Sequence, residues 1–151
     1  MRKAATMIAL TFCVVLLVAG TAFAVNKMCP ANCRGTAGDD RLVGSARANT
    51  IYAEDGNDRI LGRAGDDALK GGDGRDEVYG QEGNDRVKGS AGMDRVYGGP
   101  GDDLVRAGTP ERPNDGVRDV LDCGDGVDTA YFTPGQDVVR DNCEILNPPP
   151  Q

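Results

Sequence analysis

The sequence predicts an all-β protein, a parallel β-helix (solenoid) in which two nine-residue repeats form each coil. The first observation is the period: in steps of nine from Gly35, one pattern repeats eight times in register up to Arg106. The second is that three of the nine positions hardly vary, namely glycine at the fourth, aspartate at the sixth and an aliphatic residue at the eighth. With 5% aromatic residues and no tryptophan, the chain has little from which to build one large core, and a solenoid needs none.

The fourth and sixth positions form the predicted turns. Glycine at the fourth position, and often at the first and second, allows positive φ and a tight turn whose carbonyls point inward. The sixth position adds a charged oxygen. The fourth-position residues are Gly38, Arg47, Gly56, Gly65, Gly74, Gly83, Gly92 and Gly101, and the sixth-position residues are Asp40, Asn49, Asp58, Asp67, Asp76, Asp85, Asp94 and Asp103.

The eighth position predicts the core. It lies in the middle of a three-residue strand whose flanking residues point outward, and it is occupied by Leu42, Ile51, Ile60, Leu69, Val78, Val87, Val96 and Val105. If each coil takes two repeats, residues 18 apart stack at the strand spacing of about 4.8 Å. Asp58 then lies over Asp40 on one edge, and Asp85 over Asp67 on the other.

The stacked aspartates predict calcium. Carboxylates in such rows repel one another unless a cation neutralises them, and inward carbonyls in the same turns also need a partner. Calcium takes six to eight carboxylate and carbonyl oxygens at roughly 2.3 to 2.6 Å. Magnesium requires stricter octahedral geometry, and zinc prefers nitrogen and sulfur ligands.

At these residues the chain resembles the hemolysin-type, or repeats-in-toxin (RTX), family of calcium-binding nonapeptide repeats. The resemblance implies a right-handed parallel β-roll that holds about five or six calcium ions between turns two repeats apart. It implies that the sixth-position aspartates are side-chain ligands and that the glycine-rich turns supply carbonyls. Arg47, Ala48 and Asn49 replace the usual Gly-x-Asp in the second repeat, so Asn49 is expected to be a weaker ligand.

The segment before the repeats predicts export. Residues 1–24 read as a signal peptide, with Arg2 and Lys3, an apolar run and the small-x-small end Ala22-Phe-Ala24, after which cleavage is expected. The mature protein would then be secreted and extracellular, with no membrane span after processing. Residues 25–34 form an N-terminal cap that carries Cys29 and Cys33.

The repeats lose their regularity after Arg106. Residues 107–118 form a proline-containing insertion loop, residues 119–146 form degenerate repeats and a C-terminal cap closed by a disulfide, and residues 147–151 form a flexible tail. Three further residues fit the sixth-position frame and are weaker metal ligands: Asp119, Asp128 and Asp137.

Four of the five cysteines remain once the predicted signal peptide with Cys13 is removed, and an even set in an exported chain predicts two disulfides. Cys29 is expected to pair with Cys33. Cys123 and Cys143 are separated by one 18-residue coil plus two residues, which brings their Cα atoms within disulfide reach.

Composition narrows the functional classes. Without histidine the chain lacks the commonest general base, so we expect no enzyme and no catalytic residue. A net charge of −7 makes nucleic acid a poor partner. The leading hypothesis is a secreted binding or structural module that folds on calcium. The alternatives are a cell-surface or matrix adhesin and an accessory module of a secreted lytic system.

Tyr79 and Tyr97 are the candidate partner surface. They occupy the ninth position in one predicted sheet, in an apolar column that also contains Val43 and Leu61. Such a column is consistent with a protein or glycan ligand on the outer face, or simply with β-prone residues paired along exposed strands.

Overall fold

The structure is a computed structural model that describes residues 24–108 and 116–146. The predicted signal peptide up to residue 23, most of the predicted insertion loop and the predicted tail lie outside the described residues. No helix in the described part of the chain is long and apolar enough to cross a membrane.

Two parallel seven-stranded sheets make up the fold, and the chain alternates between them. The odd-numbered strands form sheet A: β1 (Asn26–Met28), β3 (Arg41–Val43), β5 (Arg59–Ala64), β7 (Glu77–Glu82), β9 (Arg95–Pro100), β11 (Val120–Asp125) and β13 (Val138–Val139). The even-numbered strands form sheet B: β2 (Asn32–Arg34), β4 (Thr50–Asp55), β6 (Ala68–Asp73), β8 (Arg86–Ala91), β10 (Leu104–Arg106), β12 (Thr129–Tyr131) and β14 (Ile145–Leu146). The predicted all-β parallel solenoid is confirmed.

Residues 18 apart are paired, as two repeats per coil require. Ile60 lies opposite both Leu42 and Val78 in sheet A, and Leu69 lies opposite Ile51 in sheet B. Across the insertion the separation becomes 25 residues in both sheets, where Val96 pairs with Leu121 and Val105 with Ala130. The pairing of the described strands therefore continues across the insertion, and the core column is unbroken.

The strands of the central coils are longer than the sequence predicted. Instead of three residues, β4 to β9 each contain six, because pairing continues beyond the ninth position. Glu54 pairs with Gly72 and Asp55 with Asp73, at positions predicted to belong to a turn. The glycine-rich segments are thus partly strand, and the sharp change of direction lies nearer the fourth position.

The core is a single column of small and aliphatic side chains between the sheets. All the eighth-position residues from Leu42 to Val105 are buried, and Leu121 and Ala130 extend the column. One neighbouring expectation was wrong. Val43, expected in the outward apolar column, is only 2% exposed, so the exposed part of that column begins at Leu61.

Both predicted disulfides are present. Cys29 is bonded to Cys33 with a Cα–Cα distance of 5.4 Å, and Cys123 to Cys143 with 5.2 Å. All four cysteines are buried and pack with the ends of the core column. Each end of the solenoid is therefore fixed by a covalent bond.

Candidate metal centre

The sixth-position side chains are buried although they are charged. Asp76 and Asp94 have no exposed surface, and the others of the eight main repeats are at most 3% exposed. Asp119 and Asp128 of the degenerate repeats are equally buried, whereas Asp137 is half-buried. Since the core column beside them is apolar, these carboxylates need polar partners from the turns.

Within each row, hydrogen bonds link the carboxylate of one coil to the backbone of the adjacent coil. Oδ1 of Asp58 accepts a bond of 2.6 Å from the backbone N–H of Asp40, and Oδ1 of Asp76 accepts one of 2.9 Å from that of Asp58. On the other edge Oδ1 of Asp85 accepts 2.7 Å from the N–H of Asp67. The same bond reaches across the insertion, from the N–H of Asp94 to Oδ1 of Asp119 and from that of Asp103 to Oδ1 of Asp128. An amide thus separates successive carboxylates of the predicted stacks.

The second carboxylate oxygen lacks such a partner in the central repeats. Oδ2 is buried and accepts no hydrogen bond in Asp58, Asp67, Asp76, Asp85, Asp103 and Asp128. The amide of Gly72 faces the Asp76 carboxylate without meeting hydrogen-bond geometry. A buried, unpartnered carboxylate oxygen is costly, and a bound cation is one way to remove the cost.

First-position glycines provide the space for these oxygens. A Cβ on Gly80 would collide with Oδ2 of Asp85 and would lie 2.6 Å from the carbonyl oxygen of Gly98 in the next coil. The same environment recurs at Gly62, Gly71 and Gly98, and Oδ2 of Asp94 occupies the corresponding place beside Gly89. These glycines do not have positive φ, contrary to the expectation for the first position, because their role is to leave space for a carboxylate and a carbonyl.

The fourth-position glycines do make the predicted turn, with one exception. Gly56, Gly65, Gly74, Gly83, Gly92 and Gly101 all have φ between 100° and 137°. Gly38 does not have positive φ, and neither does Arg47, so the first two turns of the array differ from the rest. A Cβ on Gly74 or Gly101 would collide with the carbonyl oxygen of Gly56 or Gly83, one coil earlier. Fourth-position carbonyls therefore point at the backbone of the next coil.

Burial also changes the acidity of these carboxyls. It raises the pKa of Asp58 and Asp103 to about 7 and that of Asp67 and Asp76 to about 6, and it raises the pKa of Asp85 and Asp128. For Asp58, the amide hydrogen bond from Asp40 opposes this shift, and the carboxylates of Asp76 and Asp40 add to it. Without a cation, a proton can neutralise these sites near neutral pH.

Both polar atoms of the Asn49 side chain have hydrogen-bond partners within the protein. Its Nδ2 donates to the carbonyl of Ala31 at 3.2 Å and to Oγ of Ser45, while its Oδ1 accepts 2.6 Å from the N–H of Ser45. The amide group does here what a cation would do for a carboxylate. The weaker role predicted for Asn49 thus has a structural reason.

Three features of the turns were not predicted from the sequence. Glu144 accepts a bond of 2.9 Å from the N–H of Asp128 and so ends one row, although it lies outside the 18-residue frame. Thr36 donates from its N–H to Asp40 Oδ2 at the start of the other row. Fifth-position side chains form an exposed second row: Asp39 Oδ1 accepts from the N–H of Asn57, and Asn57 Oδ1 from that of Arg75. A recurrence of Asp and Asn at the fifth position was the available signal.

These donors fit calcium. Each central turn except that of Asn49 offers one buried carboxylate oxygen and main-chain carbonyls of adjacent coils, which are the hard oxygen ligands that calcium combines. Within residues 24–108 and 116–146 there is no cluster of three or more histidine, cysteine, aspartate or glutamate side chains that could hold a metal by themselves. Carbonyls would therefore have to supply most of the coordination, with one or two aspartates.

Comparison with known families agrees with this geometry. The model of the RTX calcium-binding nonapeptide repeat, which describes four copies, matches residues 34–69, 61–92 and 70–105. No curated protein and no solved structure matched the chain.

Proposed function

We propose that the mature chain is a secreted, non-enzymatic module that folds when calcium binds its turns, since residues 34–105 match the RTX calcium-binding nonapeptide repeat. The observation that carries the proposal is the row of buried Asp Oδ2 atoms without hydrogen-bond partners. Calcium would neutralise them and would share the carbonyls that point across the coils.

The proposed ligands are the sixth-position aspartates together with carbonyls of the glycine-rich turns. We expect about five or six ions, one for each pair of adjacent turns on an edge of the eight main repeats that offers a carboxylate. The second repeat is the exception, since the Asn49 amide occupies that position.

Export is supported by two features of the chain. The first is the predicted signal sequence, and the second is a pair of disulfides, which persist in oxidising compartments. The proposed absence of catalysis rests on the lack of histidine and on the calcium role of the buried aspartates.

Calcium titration of residues 25–151, followed by circular dichroism, tests this proposal. We expect little β-structure without calcium and folding at roughly 0.1 to 1 mM, the range of extracellular modules. Magnesium at the same concentrations is the matched control. It should fold the chain much less than calcium does, because magnesium requires a near-octahedral geometry that these carbonyl-rich turns do not offer. A full β spectrum at neutral pH and low salt, in excess chelator, would refute it.

A second candidate function is that of an adhesin that uses Tyr79 and Tyr97. Their rings are stacked with centroids 4.6 Å apart and an interplanar angle of 2°, and the Arg59 guanidinium lies 5.2 Å from the Tyr79 ring centre. A groove of about 380 Å³ beside the rings is also lined by Gln81 and Pro100. Rigid paired aromatics at the edge of a groove favour contact with a sugar ring or an apolar side chain.

Substitution of these tyrosines separates the two candidates. If the module is an adhesin, Tyr79→Ala with Tyr97→Ala should abolish binding to cells or matrix while calcium uptake stays unchanged. Unchanged cell binding by this double variant would remove the adhesin hypothesis and leave the calcium proposal intact.

A further inference from the structure

The outer face of sheet B carries a stripe of cations. Lys70, Lys88 and Arg106 are consecutive partners in the ninth-position column, and Arg86 lies beside them in the seventh-position column; we call these four residues the basic stripe. The step between neighbours is the strand spacing, about 4.8 Å. Like charges at this distance on a sheet face destabilise one another.

In sheet A an acidic side chain lies between the cations. There Arg59 and Arg95 flank Glu77 in the seventh-position column, with N–O distances of 3.6 and 3.5 Å. On sheet B, the seventh- and ninth-position columns hold no carboxylate from Thr50 to Tyr131. In a chain with a net charge of −7, four cations at neighbouring positions of two columns are a strongly localised feature.

Tyrosines lie at both ends of the cation column. Tyr52 pairs with Lys70, and Tyr131 pairs with Arg106, whose guanidinium carbon is 4.2 Å from the Tyr131 ring centre. A groove of about 480 Å³ runs along the column and is lined by Tyr52, the four cations and Leu104 among others. The stripe thus follows the solenoid axis between two amphipathic rings.

Acids border the stripe and limit the shape of its partner. Glu54, Asp55 and Asp73 line a second groove of about 200 Å³ that ends on Lys70. A broad anionic surface such as a membrane would bring its charges against these acids as well as against the stripe. A thin chain with regularly spaced anionic groups could follow the cations alone.

We propose that the basic stripe binds a linear acidic polysaccharide, along the solenoid axis. Carboxylate or sulfate groups would pair with Lys70, Arg86, Lys88 and Arg106, and the solvent-accessible parts of the Tyr52 and Tyr131 rings would contact sugar rings. This interaction surface is distinct from the calcium turns and needs calcium only to fold the sheet that displays it.

The test compares two triple variants of the calcium-loaded mature chain. The stripe variant is Lys70→Ala, Lys88→Ala and Arg106→Ala. The matched control is Arg41→Ala, Arg59→Ala and Arg95→Ala, which removes the same number of positive charges from sheet A. Circular dichroism and calcium titration establish that both variants fold, so a loss of binding reports on the surface.

Binding is measured by calorimetry with short galacturonate and heparin oligosaccharides, and with dextran as the neutral sugar. We expect at least one acidic oligosaccharide to bind, and dextran not to bind. The stripe variant should lose about tenfold or more in affinity and the control less than about twofold, since three modest charge contacts together reach that size. The two acidic sugars distinguish a carboxylate from a sulfate partner, and affinity should fall as salt rises.

Several outcomes would overturn the proposal. Failure of the folded parent to bind either acidic oligosaccharide would do so, as would an equal loss in both triple variants. Preferential binding to phosphatidylserine vesicles or to single-stranded DNA would assign the stripe to another class of partner. Calcium-dependent folding is measured separately, so failure here leaves the proposed function standing.

Discussion

At the scale of single residues, each central aspartate divides its two oxygens between two tasks. Oδ1 accepts an amide from the neighbouring coil, and Oδ2 is left for a cation or a proton. Without calcium, protonation can neutralise Oδ2, so the calcium-free protein should respond strongly to pH.

The first prediction is that the calcium-free protein is more stable in mild acid than at neutral pH. The pKa of Asp58 and Asp103 is raised to about 7 and that of Asp67 and Asp76 to about 6, against 3.8 in the unfolded chain. A raised carboxyl pKa means that the folded state binds protons more tightly than the unfolded state. The resulting loss of folding stability is therefore absent below about pH 4 and grows until about pH 7. Circular dichroism in calcium-depleted buffers from pH 8 to 4 measures this, because β-structure should appear as the pH falls.

Calcium should reverse that trend. Bound calcium requires ionised carboxylates, so calcium affinity should weaken as pH falls below about 7. Greater stability of the calcium-free protein at pH 8 than at pH 5 would contradict the assigned burial of these side chains.

The second prediction concerns Asn49→Asp. The substitution replaces an amide that donates to the Ala31 carbonyl with a carboxylate that faces it, so it should destabilise the folded state unless a cation binds there. In calcium the variant should gain about one ion, because it restores the carboxylate of the repeat. Isothermal titration beside the parent measures the ion count, with Asn57→Asp on the exposed fifth-position row as the control. No gain of an ion would mean that the Arg47 turn itself prevents binding.

At the scale of the repeat, conformation is more regular than sequence. The second position has positive φ in Glu54, Arg63, Gln81 and Ser90, between 81° and 109°, just as it does in Gly72 and Gly99. Only the glycines adopt this conformation without strain. The coil therefore imposes a backbone shape on residues that do not favour it.

The third prediction is that Ser90→Gly stabilises the protein by about 1 to 2 kcal/mol. Ser90 has φ of 109°, is only 3% exposed, and its hydroxyl lacks a hydrogen-bond partner. The substitution removes the strain and the buried hydroxyl together. Arg63→Gly, at an exposed residue with φ of 87°, relieves strain alone and should yield less. Denaturation in calcium measures both, and a less stable Ser90→Gly protein would show that the strain is absent.

The sequence predicted the features that repeat every nine residues, but it did not predict those that depend on contacts with the adjacent coil. The constant eighth-position aliphatics gave the core column, and the nine-residue period gave the 18-residue pairing. The period could not reveal that Glu54 and Asp55 are paired as strand, since their pairing depends on the coil above them. It could not identify Glu144 as the end of a row either, because a longer side chain there compensates for a different backbone position.

At the scale of the whole molecule, stability should depend on the place of a coil within the stack. A solenoid is held by contacts between neighbouring coils, so an interior coil contributes to two interfaces and a terminal coil to one. Asp76 has a carboxylate neighbour in its row on each side. Asp40 begins its row, and its oxygens accept bonds from Val25 and Thr36.

The fourth prediction follows from that difference. Asp76→Ala should remove about two calcium ions and split the folding transition, whereas Asp40→Ala should remove about one and loosen only the first coil. Calorimetric titration and thermal unfolding of both variants measure this. Equal ion losses would contradict sharing of Asp76 between two turns.

Paired residues of adjacent coils are 18 apart in the main repeats but 25 apart across the insertion, which suggests a place where the protein can be modified. Both sheets keep their pairing across it, with Val120 opposite Arg95 and Leu104 opposite Thr129. The amide-to-carboxylate bonds of both edges also continue across it, at 2.8 and 2.7 Å. Coil pairing therefore persists although seven more residues separate the paired strands here than elsewhere in the array. Peptides of other lengths and compositions, such as an epitope or a protease site, could be grafted there at the modest entropic cost of a longer surface loop.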